Sequence, residues 1–258
     1  MTVPDLTPAG GAAPLPRRVL AQAGLDARAV LRNGEQLLLT LVLPVLLLVG
    51  LAGASFPDLG PGRRIDVLAP GVLALAVLST AFTGQAIATG FDRRYGVLRL
   101  LATTPLGRGG LIAGRVLAVL AVEVLQVAVL GGLAVTLGWR PEPVGVLLAI
   151  LALVLGTITF VAAGLLLAGT LRSEAVLAGA NLAWVLLVAG GGVLVPTALM
   201  REQVAGLGGL ARWLPSGALG DLFRATLGQG RVDLVAVTVL LAWGSVAALA
   251  AVRWFRWD

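Results

Sequence analysis

Residues 144–196 read VGVLLAILALVLGTITFVAAGLLLAGTL, then RSE, then AVLAGANLAWVLLVAGGGVLVP. Neither apolar run contains Asp, Glu, Lys or Arg, and the charges of the whole stretch are Arg172 and Glu174 in the break. An α-helix rises about 1.5 Å per residue, so about 20 residues cross the hydrocarbon layer of a bilayer. Runs of 28 and 22 residues both reach that length. A three-residue break between them predicts a tight hairpin of two membrane helices.

The same pattern extends outward in both directions. Apolar segments at about 36–56, 67–90 and 111–138 precede the quoted pair, 144–171 and 175–196, and another follows at 232–252. Pro44 interrupts the first and Pro70 lies near the start of the second, which membrane helices tolerate because neighbours re-satisfy the freed backbone. The 258-residue chain is 58% hydrophobic and 12% charged, where a soluble domain carries about 25% charged residues. The fold expected is an all-α integral membrane protein with six transmembrane helices, residues 34–258 forming one membrane domain.

The composition excludes several chemistries. Without Cys there is no disulfide, thiolate nucleophile or iron–sulfur ligand, and without His no imidazole metal ligand or Ser-His-Asp triad. All 19 basic residues are Arg. A phosphate-cradling P-loop and Schiff-base chemistry both need Lys, so neither belongs to this chain. No metal site or catalytic residue is expected. The pI of about 11.4 does not point to nucleic acid, because the arginines lie between apolar runs and suit lipid headgroups and topology. The Lys-free, Ala/Gly/Val/Leu/Arg-rich composition points to a GC-rich, bacterial genome.

Residues 1–16 are rich in Pro, Gly and Ala, and a flexible tail without a cleavable signal peptide is expected there. Residues 17–33 form an amphipathic pattern. Val19, Leu20, Ala23, Ala27, Val30 and Leu31 share one arc, opposite Arg17, Arg18, Gln22, Asp26, Arg28, Arg32 and Asn33, with Leu25 misplaced. That predicts a helix lying in the membrane interface with its arginines reaching headgroups; packing on another protein surface is the alternative.

Arginine placement orients the chain. With both termini inside, twelve Arg fall on the inner segments and seven on the outer ones, which favours an N-in/C-in topology. Two connecting segments stand out. Residues 91–110 carry Phe91, Tyr95, Leu98 and Ala102 at helical spacing beside Asp92, Arg99 and Thr103, and end at Pro105 and glycines. A short amphipathic helix continuing from span two and then breaking is expected, as a docking element on the inner side; an ordinary charged stop-transfer loop is the alternative. Residues 197–231, on the outer side, are too long for a hairpin loop and predict one or two short re-entrant helices.

Polar residues within spans either join helices by hydrogen bonds or serve a function. Span two carries Ser79, Thr80, Thr83 and Gln85, and span five carries Asn181 and Trp184. Glu123 lies about 12 Å past Arg115 along its helix, with Gln126 on the same face. An intramembrane carboxylate is either functional or holds helices together.

Together, these features resemble the permease subunits of the ABC type-2 exporter family, which includes the drug-resistance (daunorubicin-type) permeases. The resemblance covers about residues 17–252. It rests on the pre-span amphipathic helix, the six-span plan, the segment Asp92-Arg93-Arg94-Tyr95-Gly96-Val97-Leu98-Arg99-Leu100-Leu101-Ala102-Thr103-Thr104-Pro105, and the Leu214-Pro215 stretch leading to Arg224. The family more often has Glu at the place of Asp92 and a second acid at that of Arg99. The resemblance implies that Phe91, Asp92, Arg93, Arg94, Tyr95, Gly96, Leu98, Arg99 and Pro105, with Arg17, Arg18, Arg28 and Arg32, couple to a separate ATPase subunit carrying ATP and Mg. It also implies a dimer with a second copy or sister permease, spans two and five bordering the pathway, and export from a bacterial cytoplasmic membrane. Aromatic residues are 5% of the chain, which disfavours a polysaccharide and leaves a hydrophobic, drug-like or lipid-like substrate. The alternatives are a secondary transporter using Glu123 as coupling acid, or an intramembrane lipid-modifying enzyme.

Overall fold

The structure, a computed structural model, describes residues 11–56, 58–203 and 207–254. Most of the expected tail and Arg256 fall outside them. Every regular element among the described residues is helical: α1 (Leu15–Arg32), α2 (residues 34–53), α3 (Arg64–Arg94), α4 (Val97–Ala102), α5 (Gly107–Thr136), α6 (Pro143–Thr170), α7 (Ser173–Gly190), α8 (Thr197–Gln203), α9 (Leu207–Ala211), α10 (Pro215–Gln229) and α11 (Leu234–Trp254).

Five of these are long and apolar enough to cross a bilayer: α3, α5, α6, α7 and α11. The first expected span is shorter, with Thr40–Gly53 as its apolar part. Span two is longer than its apolar run, because Phe91–Arg94 continues its helix. Span five stops at Gly190, where Gly191 and Gly192 turn the chain back. The α6–α7 hairpin is as tight as the sequence predicts, with Leu171 and Arg172 its whole link.

The centre of the bundle is α3, packed by α2, α5, α6, α7 and α10. Its apolar run Leu68–Leu78 is buried on all sides, which explains why that segment is hydrophobic around its whole circumference. The expected re-entrant segment contains three short helices among its described residues, and α10 is sunk into the bundle against α3, α6 and α11. Glycines permit that depth. A Cβ on Gly145 of α6 would overlap the Thr226 carbonyl, and one on Gly156 would stand 2.7 Å from Leu219.

At one end, α1 crosses α5. Val19, Ala23 and Ala27 are buried there, whereas Leu20 and Leu31 remain exposed. The apolar arc is thus divided between a face packed on α5, as the alternative reading had it, and an exposed remainder. Gly114 of α5 makes the crossing close, since a Cβ there would stand 3.1 Å from Gln22.

Candidate functional site

Two stretches of helix are wound as π turns, Leu38–Val42 in α2 and Leu78–Gly84 in α3. A π turn widens the helix by one residue and leaves backbone carbonyls open to other partners; such turns recur at functional sites. Here the Thr40 carbonyl accepts the Gln126 amide at 2.6 Å, and the same amide nitrogen donates to the Thr80 hydroxyl at 2.9 Å. One α5 side chain therefore ties both π turns together.

The two π turns flank a groove with two lobes. The larger, about 520 Å³, runs between α2, α3 and α7 and is lined by Ser79, Thr83, Asn181 and Trp184 among others. The smaller, about 250 Å³, continues towards α1 and α5 past Thr80 and Gln85. Asn33, Gln36, Thr40, Gly84, Ala88 and Phe91 belong to both. Trp184 donates its indole N–H to Ser79 at 3.0 Å, joining α7 to the π turn of α3. Thr83 Oγ1 and Gln85 Oε1 are buried without a hydrogen-bond partner among the described residues. The large lobe carries hydroxyls and amides but no charge, which suits a neutral or amphiphilic molecule.

Six of the eight pathway candidates line this groove; Glu123 and Gln126 line neither lobe. Gln126 lies behind it as the tie just described. Glu123 is fully enclosed and accepts a hydrogen bond from Thr157 of α6. That position joins two helices and leaves the carboxyl out of reach of the groove. Asn33, Gln36 and Thr40 also line the groove, beyond the candidates chosen in spans two and five. Their spacing of three and four residues is the signal that could have found them.

The small lobe ends in a cluster of charge. Arg115 of α5, 6% exposed, pairs with Asp92 of α3 and, at 3.4 Å, with Asp26 of α1. Burial holds the Asp26 carboxyl above its ordinary value, with Arg115 pulling the other way. Three helices meet on one guanidinium. Arg93 turns to the other side and donates to the carbonyls of Ala168 and Leu171, capping the end of α6.

The segment after α3 departs from the expected single helix. It breaks at Gly96, whose φ of +75° is a left-handed conformation that glycine adopts freely, and α4 then starts afresh. The predicted stripe is split accordingly. Leu98 is buried with Val19, Leu106 and Leu111, whereas Phe91 and Tyr95 are exposed and stack with ring centroids 6.2 Å apart. Arg94 and Arg99 are exposed beside them, and Arg17, Arg28 and Arg32 are exposed along α1, with Arg18 half-buried. Asp92, Arg93 and Leu98 thus hold the protein together, while Phe91, Arg94, Tyr95 and Arg99 form an outward surface. Pro105 follows the last turn of α4.

A multi-pass membrane protein, with a polar groove between its helices and a cationic aromatic surface beside the groove's end, has the form of a transporter's membrane component. The family model for ABC-2 type transporters matches residues 25–227, and the chain belongs to that family. It is an ABC-type permease component, and ABC-2 permeases work with ABC ATPase partners. None of the curated proteins matches the chain.

Proposed function

We propose that this chain is the transmembrane half of an ATP-driven exporter moving a hydrophobic, drug-like or lipid-like molecule out across a bacterial cytoplasmic membrane. ATP and Mg²⁺ bind a separate ATPase subunit, which docks on Phe91, Arg94, Tyr95 and Arg99 with the exposed arginines of α1. Both termini and that docking surface face the cytoplasm. The groove between the π turns receives the substrate. A second copy or sister permease covers α2 and α7 and closes the groove's open side.

The observation that carries this reading is the double service of α3. Residues of its π turn and Ile87, Ala88 and Phe91 line the groove, and its last turn carries the exposed Phe91 and Arg94. A rigid helix that does both converts movement of a docked subunit into a change of groove shape. Support for the second copy comes from α7, where Leu177, Leu182, Val185 and Leu186 are exposed, and from Leu43 and Leu46 of α2. Support for an uncharged amphiphile comes from the lining of the large lobe.

Affinity purification of the tagged chain in mild detergent, with mass spectrometry of what comes with it, tests the proposal. A stoichiometric P-loop subunit is expected, and replacing Tyr95 and Arg99 by Glu should release it while the chain stays folded. A folded chain that purifies alone would refute the proposal.

A further inference from the structure

Away from the α1 end, α5 and α6 line an apolar groove of about 290 Å³ that opens at the molecular surface. Its floor is Leu73, Phe223 and Leu227, all buried, and its lips include Val135 and Ile150, both 53% exposed. Along α5 the lining runs from Val127 to Val135, a rise of about 12 Å, and Trp139 and Pro141 extend it past the helix end. One leaflet of a bilayer's hydrocarbon core is about 15 Å thick. The helical part of the groove therefore spans most of the depth of one acyl chain.

Gly131 and Gly132 supply the second observation. Both sit inside α5, where glycine weakens a helix. Gly145, Gly156, Gly164 and Gly244 are explained by atoms of neighbouring helices that a Cβ would press upon. A Cβ on Gly131 or Gly132 would meet nothing within 4 Å. No close approach among the described residues accounts for this pair, and its effect is to keep the groove wide. At the rim, Trp139 and Pro141 are lining residues, and Arg140 between them is exposed with no hydrogen bond or ion pair to the described residues. Glu142, also exposed, stands near Gly230.

We propose that this groove is a phospholipid site, in which one acyl chain lies between α5 and α6 and the headgroup phosphate meets Arg140. A bilayer is the solvent of this face, so an apolar slot open to it is filled by hydrocarbon. A free arginine at its mouth selects hydrocarbon that carries an anionic group. The site lies apart from the groove between the π turns and does not depend on which molecule that groove receives.

Trp139 is a built-in reporter, 5% exposed and part of the lining. The test uses the full chain in vesicles of phosphatidylcholine and phosphatidylglycerol with acyl chains brominated at mid-length. Trp139 is kept as the single tryptophan, and a second version keeps Trp243, which is 44% exposed. Contact with bromine quenches indole fluorescence. Quenching of Trp139 comparable to that of Trp243 is expected, although Trp139 is buried from the bulk. Gly131→Leu fills the slot and should reduce Trp139 quenching at least twofold while leaving Trp243 unchanged; Gly132→Leu provides the same test should the first variant fail to fold. Arg140→Ala should remove any excess quenching by brominated phosphatidylglycerol over phosphatidylcholine. Trp139 quenching that is absent, or unaltered by either leucine, would overturn the site, including the case in which another protein fills the slot. Equal quenching by the two lipids in the unsubstituted chain would overturn the role of Arg140.

Discussion

Arg115 holds carboxylates from two other helices, so its loss is felt at three elements. Arg115→Met leaves Asp26 and Asp92 near each other without a counter-charge. The cost of breaking such a buried pair is about 3 kcal/mol, read as a lower thermal midpoint in detergent. Asp26 carries its own pH signature. Its carboxyl is raised by burial, so the folded chain binds that proton more tightly than the unfolded chain. Its contribution to stability is full in acid and is lost as pH rises through the raised value. Asp26→Asn keeps the neutral form at all pH values. It should raise the midpoint at neutral pH and leave it unchanged below the ordinary carboxylate range. A lowered midpoint at neutral pH would show that attraction to Arg115 outweighs burial. Much of this residue-level detail was hidden in the sequence. Asp26 and Asp92 are separated by 66 positions and read as members of two unrelated polar strips. The division of Phe91, Tyr95 and Leu98 between surface and core depends on where Gly96 breaks the helix. Glu123 was visible as an acid in a span, but its enclosure beside Thr157 follows only from how α5 and α6 cross.

Helices of this bundle are held as elements by close approach and by end-caps. Gly145 lets α6 rest on the α10 backbone, and Gly145→Val should separate the two and leave little folded protein in a detergent-solubility assay. Arg224 of α10, paired with Asp221 at 3.0 Å, also donates to the carbonyls of Gly192 and Val193 just beyond α7. Arg224→Met should speed amide hydrogen exchange at residues 191–195 while α3 and α6 stay protected. Unchanged exchange there would show that the cap does not restrain the end of α7. Elements were the most legible level of the sequence. Hydropathy is a local property, so the α6–α7 hairpin and α11 fall close to their expected places. The π turns carry no sequence signature, and the groove they frame was approached only through the scattered hydroxyls and amides of spans two and five. The depth of α10 was readable only in part, because its apolar pattern shows a buried helix but not which glycines receive it.

At the scale of the whole molecule, α3 joins a groove near one end of the bundle to the exposed surface at which docking of an ATPase is proposed. Nucleotide binding by that partner is therefore expected to change the groove's width. The absence of Cys makes this measurable on an otherwise unaltered chain. Leu43 of α2 and Asn181 of α7 line the large lobe from opposite helices, and both are exposed. Cysteines placed at these two positions can carry a spin-label pair across the groove, in the complex with its co-purified ATPase. The most direct test is the distance distribution of that pair with and without a non-hydrolysable ATP analogue. A shift in the distribution, lost when Tyr95 and Arg99 are replaced by Glu, is predicted. An identical distribution in both states, with the ATPase bound and nucleotide loaded, would contradict coupling through α3.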